Sequence, residues 1–238
     1  MNFAWLRVLA CTFLLVATSA QHSRAQSESS NGPLKRLFSA PQLFNPTQAC
    51  QGDCAFTLYG GRYLQTSIEN VFAIKPYKPI GQWTYADSQL LAASVSRKLV
   101  ANPEWWEIDA ELGLGKRMGA LTATEGWAAL YFRWLAFPWS QWVKTSFAFS
   151  TGIDYASSKD PIETLRNTNG GRGANLLHFL SPEFTFTLPQ QPDWDLILRF
   201  HHRSGGREFV LGPTIARTFF SNASGGAQYV TFGLRHHF

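Results

Sequence analysis

The chain has 238 residues, including Phe 19, Trp 9 and Tyr 7, and only 16% of it is charged. The length suits one domain, while charge this sparse falls below the quarter or so usual in soluble proteins. The net charge of +5 becomes +3 once Arg7 and Arg24 leave with an amino-terminal segment that holds no acid. That balance suits anionic lipid headgroups and is too weak for a nucleic-acid binder.

The first segment has Arg7, then an apolar run from Val8 to Val16, then small residues, with Ala20 or Ala25 suited to signal-peptidase cleavage. Residues 1–25 therefore read as a secretory signal. Cys11, in VLAC, comes too early in the apolar run to serve as a lipoprotein box. Residues 26–54 are rich in Ser, Pro, Asn and Gln and read as a loosely packed periplasmic leader. In an exported chain Cys50 and Cys54 can close a small disulfide loop just before the first strand. A metal or redox role is disfavoured, because the spacing is CxxxC and no His accompanies it. No later segment has the length of unbroken apolar residues a spanning helix needs; Trp127 to Trp139 is short and broken by Arg133 and Pro138.

Strand-like segments separated by turn residues then follow. They are Ala55 to Leu64, Gln89 to Leu99, Trp105 to Lys116, Gly126 to Phe137, Val143 to Tyr155, Leu176 to Leu188, Asp193 to Gly206 and Gln228 to Phe238. The third alternates most clearly, with Trp106, Ile108, Ala110, Leu112 and Leu114 opposite Glu107, Asp109 and Glu111. Eight such segments, of the length a tilted membrane strand requires, predict an all-β, eight-stranded antiparallel transmembrane outer-membrane β-barrel over residues 55–238. The acidic column and the bases Arg133, Lys144 and Arg199 are then expected to point inward and pair. A soluble sandwich with a solvated charged face is the competing fold, against which stand the aromatics near strand ends and the terminal Phe238. The ending TFGLRHHF is similar to the carboxy-terminal assembly signal of bacterial outer-membrane proteins, although His236 holds a place usually filled by a larger hydrophobe.

The seventh segment, DWDLILRFHHRSGG, carries the chemistry. Trp194, Leu196, Leu198, Phe200, His202 and Ser204 share one face, and Asp195, Ile197, Arg199, His201 and Arg203 share the other. A possible base and nucleophile thus lie on the greasy face. With both chain ends on the periplasmic side, this segment ends outward, which places His202 and Ser204 against lipid near the outer leaflet. A Ser hydroxyl becomes nucleophilic when a base takes its proton, and the amides of Gly205 and Gly206 are candidates for holding an oxyanion. The inert alternative is that both are interfacial strand-end residues. His201 and Arg203 are expected to pack or pair inside, and His236 and His237 to lie at the periplasmic rim. The GLGKRMG run imitates a nucleotide loop but sits at a strand-to-turn junction, so it is rejected.

FHHRSGG resembles the lipid A 3-O-deacylases (PagL-type acyloxyacyl hydrolases), as do FTLYGG, RWLAFPW, NLLHFLSPEFTFTLP and a Gly-rich run into the last strand. The resemblance implies an outer-membrane esterase that removes an ester-linked acyl chain from lipid A, with His202 as general base and Ser204 as nucleophile. It also implies lipopolysaccharide as substrate and no cofactor or metal, and it leaves a homodimer open. Gly205 stands where the family has Asn. The region around Ile215 to Arg217, where the family has Glu, holds no acid, so Glu208 is the only carboxylate after Ser204 to try as the orienting group. These departures motivate a second expectation, a non-catalytic small barrel that binds lipopolysaccharide or stabilises the membrane.

Overall fold

The computed structural model describes residues 40–72, 76–159, 161, 173–205, 218–220, 223 and 226–238. Gly206, Glu208 and the signal segment 1–25 lie outside the described residues. The strands are β1 (Gln42–Leu43), β2 (Cys54–Leu64), β3 (Tyr85–Asn102), β4 (Trp106–Gly119), β5 (Ala123–Trp134), β6 (Lys144–Ala156), β7 (Leu176–Leu180), β8 (Glu183–Thr187), β9 (Trp194–Ser204) and β10 (Gly226–His237). A single helical turn, α1 (Ile68–Val71), sits between β2 and β3. The sheet is antiparallel and closes on itself, with β10 pairing β2 and the β7–β8 pair filling one staff between β6 and β9. The ring therefore has eight staves, as the alternation predicted.

Several boundaries differ from expectation. The sixth segment is two strands, because Pro182 has no N–H to continue the ladder. At the break Ser181 donates its N–H to Ser150 Oγ, and Pro182 O accepts from Phe200 N at 2.9 Å. The fourth strand ends at Trp134 and not Phe137, as the chain turns toward Pro138 with Leu135 N bound to Trp105 O. The leader is partly tied down: Gln42 and Leu43 pair with Ala101 and Val100, and Cys50 is disulfide-bonded to Cys54. Gly113–Gly119 lies inside β4, away from any helix.

The register fixes how steeply the strands climb. One row of cross-strand partners runs Ser204, His178, Ile153, Ala128, Leu112, Val95, Phe56, His236 and Trp194. It starts and ends on β9, and Trp194 lies ten residues before Ser204. A ten-residue offset over eight inter-strand spacings tilts the strands by roughly 40°. A path from Ser204 through β7, β6 and β5 thus descends toward the end that carries Phe238.

Polar residues fill the interior and apolar residues cover the outside. Outward positions include Phe56, Leu58, Val95, Leu112, Leu114, Leu130, Phe149, Ile153, Leu196, Phe232 and Leu234, all exposed. Trp139, Trp142, Trp194 and Phe238 are exposed toward one end and Phe72, Tyr77, Tyr85 and Tyr155 toward the other. An apolar belt between aromatic girdles is the surface a bilayer demands. The connections 103–105, 135–143 and 188–193 lie at the end bearing the carboxy terminus, and 65–84, 120–122, 157–175 and 205–225 join the strands at the other.

Inside, Arg199 makes a bidentate pair with Glu111 at 2.9 and 2.8 Å and reaches Glu183 at 2.7 Å. Glu183 also receives Arg133 at 2.9 Å and Arg235 at 2.8 Å. Inward pairing of the acidic column with Arg133 and Arg199 is therefore observed. Lys144 takes the inward parity, in one row with Thr187 and Asp195, but stands exposed at the mouth, and Arg235 supplies the third guanidinium.

Candidate functional site

β9 climbs to the end remote from Phe238, and its alternation sends His201 and Arg203 inward and His202 and Ser204 outward. His201 is fully buried, with Nδ1 2.9 Å from Tyr59 Oη and Nε2 3.0 Å from Glu125 Oε1. Glu125 is also paired with Arg117. Arg203 holds Asp154 at 2.9 Å and donates to the carbonyls of Ala174 and Asn175. Glu125, Asp154 and His201 have the atoms of a metal trio. Arg117 and Arg203 already neutralise both carboxylates, so the cluster is built as an ion-pair network under the site. At the opposite mouth, His237 contacts Asp195 at 2.8 Å and His236 packs on Trp194, as rim residues do.

His202 and Ser204 converge over Gly226 of β10, which pairs with Ser204. A Cβ on Gly226 would stand 2.8 Å from Ser204 Cβ and 3.0 Å from His202 Cε1. The glycine therefore leaves a space that both side chains border, with Arg203 O nearest to it at 2.4 Å. Gly205 is buried, and a Cβ there would fall 1.5 Å from Ala223 O. No side chain fits at that position on this backbone.

The face bearing the pair is not open lipid surface, as the sequence had suggested. His202 is only 8% exposed and Phe200 7%. The connection between β2 and β3 folds back over the outer wall: Phe72 and Trp83 pack on the Phe200 ring, centroids 5.1 and 5.9 Å away. Val71 joins Leu64, Phe200 and Val230 in a small apolar cluster. Gln228, cross-strand partner of His202, holds the same connection through Thr66 O. Strand parity predicts which face a side chain takes, but not what a later loop lays over it.

Register also reveals a residue the sequence reading passed over. His178 of β7 is the direct cross-strand partner of Ser204 and shares its outward face. Directly opposed Cβ atoms lie about 5 Å apart, so Ser204 is flanked by two imidazoles. His178 is 2% exposed; its Nε2 is 3.0 Å from Thr151 Oγ1, and its Nδ1 is buried with no hydrogen-bond partner among the described residues. The available signal was Leu176, His178 and Leu180 alternating on one face of the sixth segment, but only the pairing register shows that His178 meets Ser204.

No family model matches the sequence, and no curated protein matches it. Among solved structures the chain is similar to the outer membrane enzyme PagL, at 8% identity and TM-score 0.45, over 78% of this chain and 99% of that one. It is similar to Neisserial surface protein A (NspA), at 11% identity and TM-score 0.44, over 80% and 100%. It is also similar to the Yersinia pestis outer membrane protein Ail, at 10% identity and TM-score 0.31, over 76% and 99%.

Proposed function

We propose that the chain is an outer-membrane esterase that hydrolyses an ester-linked acyl chain of lipid A. The observation that carries this reading is the convergence of His202 and Ser204 over Gly226, at the outward-climbing end of β9 on the bilayer side of the wall. Ser204 Oγ attacks the ester carbonyl while His202 takes its proton. The tetrahedral oxyanion collapses, and the sugar hydroxyl leaves with that proton. Water, activated by the same imidazole, then releases the free fatty acid and restores the serine. His178 stands on the far side of Ser204; with Thr151 donating to its Nε2, its Nδ1–H is the donor left for the oxyanion. Glu208 is retained as the carboxylate proposed to orient His202, and the Gly205 and Gly206 amides as further oxyanion donors.

Mass spectrometry of lipid A from cells making the wild-type chain or Ser204→Ala tests the proposal. The wild type is expected to show loss of one acyl chain and the variant none; identical spectra at equal barrel levels would remove the enzymatic reading. A non-catalytic barrel that binds lipopolysaccharide is the second reading, favoured by the closure of Gly205 against Ala223 where the resembled family carries Asn. On that reading purified protein releases no fatty acid.

A further inference from the structure

A cation on the bilayer face of a barrel is costly except near the interfaces, where it meets water or a lipid phosphate. Three cations of the described strands take outward positions: Arg97 on β3, Arg62 on β2 and Lys116 on β4. Arg97, toward the end bearing Phe238, is paired with Asp53 at 2.9 Å. Arg62 and Lys116, toward the other end, are exposed, and among the described residues neither pairs with a carboxylate. The Arg62 guanidinium lies 5.7 Å from the centre of the Tyr85 ring, and Lys116 Nζ is 3.4 Å from Thr124 Oγ1. The outward acid of β3, Asp87, stands two residues beyond Gln89, farther from the apolar belt.

The register sets the two charges level with one another. Arg62 pairs with Gln89, Leu91 with Lys116, and Lys116 with Thr124. Arg62 is therefore two staves from Lys116 and two residues farther outward, roughly 12 Å away between Cα atoms. With the strands tilted by roughly 40°, the descent over two staves and the climb of two residues nearly cancel. Gln89 is exposed between the two cations and Thr124 beside Lys116, while Leu91, Leu112 and Leu114 lie bare beneath them. Two cations and two neutral polar groups thus crown an apolar wall at the level of Tyr155 in the outer aromatic girdle.

This crown is separate from the serine. β4 stands four staves from β9 whichever way the ring is followed. On the shorter way from Arg62, its partner Val230 and the next residue of that row, Phe200, are covered by Val71, Phe72 and Trp83. A molecule lying across Arg62 and Lys116 is therefore a different one from any whose ester meets Ser204. Its chemistry is set by the spacing: two anionic groups about a disaccharide apart at headgroup depth, with apolar chains below.

We propose that β2, β3 and β4 carry a site for a second lipid, a diphosphorylated disaccharide glycolipid with the chemistry of lipid A, which is held and not cleaved. Arg62 takes one phosphate and Lys116 the other, and Gln89 and Thr124 donate to the oxygens between them. The assignment needs the outer-membrane barrel but not the esterase.

Binding to the full chain carrying Ser204→Ala, which leaves the lipid intact, is followed by native mass spectrometry from detergent micelles. The probes are diphosphoryl lipid A, its monophosphoryl form and phosphatidylglycerol. The diphosphoryl form is expected to bind about fivefold more tightly than the monophosphoryl form, and phosphatidylglycerol most weakly. Arg62→Gln and Lys116→Gln should each raise its Kd about fivefold, and the two together about 25-fold. Lys116→Arg should keep the affinity, and Lys144→Gln, which removes an exposed charge at the opposite mouth, should leave it unchanged. The gel mobility shift checks that each variant is folded. Equal affinity for the two lipid A forms, an unaltered Kd in the double variant, or an equal loss in Lys144→Gln would overturn the site. A lipid A analogue with a diazirine close to its headgroup then locates the bound molecule. Label on peptides holding Gln89, Leu91 or Leu114, lost in the double variant, supports the assignment. Label confined to peptides holding His178 or Phe200 means that the lipid bound is the one at Ser204, and refutes it.

Discussion

Glu183 is the point at which the barrel interior is most exposed to a single change. Its carboxylate, fully buried, receives Arg199 at 2.7 Å, Arg133 at 2.9 Å and Arg235 at 2.8 Å. Glu183→Gln keeps the shape and removes the charge. Arg199 would retain its bidentate partner Glu111, and Arg133 would retain Asp109 and Glu107 at 3.2 Å. Arg235 would be left with Thr57 at 3.1 Å and Asp195 no nearer than 3.9 Å. Breaking a buried pair from one side costs about 3–5 kcal/mol, and Arg235 carries most of that here. The assay is urea unfolding in detergent, followed by the gel mobility shift of the folded barrel. Lys98→Ala serves as the control, because its pair with Glu107 is partly exposed and should lose less than about 1 kcal/mol. Adding Arg235→Gln to Glu183→Gln should recover part of the loss. A loss below about 1 kcal/mol for Glu183→Gln, or no recovery in the double variant, would refute this account of the interior.

Three further outcomes are expected. His178→Gln should lower kcat for ester hydrolysis by about a hundredfold with KM nearly unchanged, the mark of a lost oxyanion donor; a fall in stability alone would assign it a packing role. Reducing Cys50–Cys54, which closes a very short loop, should cost about 2 kcal/mol on the chain-entropy account, read as a lower urea midpoint after dithiothreitol. The Asp53 carboxyl is held below its usual range, first by the Gln51 N–H donating to it and then by Arg97. A depressed folded pKa gives stability that is present above the ordinary carboxylate value and lost as pH falls through the folded one. Hydrogen exchange at the Gln51 amide should therefore quicken only in acid below the ordinary carboxylate range, and Asp53→Asn should abolish that dependence.

Much of this architecture was written in period-two alternation. The outward series of β4 and β9 and the inward series Glu107, Asp109 and Glu111 needed only the pleat and the requirement that a bilayer face be apolar. The inward fate of His201 and Arg203 followed from the same parity. What stayed hidden depends on contacts distant in sequence. Arg235 joins Glu183 across 52 positions, and His178 reaches Ser204 only through a register that no local pattern encodes. Pro182 was visible as a ladder breaker, yet hydrophobic residues on either side let the sixth segment read as continuous. Phe72 and Trp83 looked like part of a polar connection because their value lies in the Phe200 ring they cover.

The fold-back of the β2–β3 connection also makes the lipid-facing belt uneven. On β2, β9 and β10 the hydrocarbon loses Leu64, Phe200 and Val230 to protein, whereas Leu114 on β4 and Tyr155 on β6 stay bare. A bilayer accommodates unequal apolar height by thinning locally or by letting the spanning body lean. Either response lowers the headgroup layer on the side where β9 ends. The headgroup layer would then come down toward the level of half-buried Ser204, so that the covered part of the wall draws the polar surface of the membrane to itself.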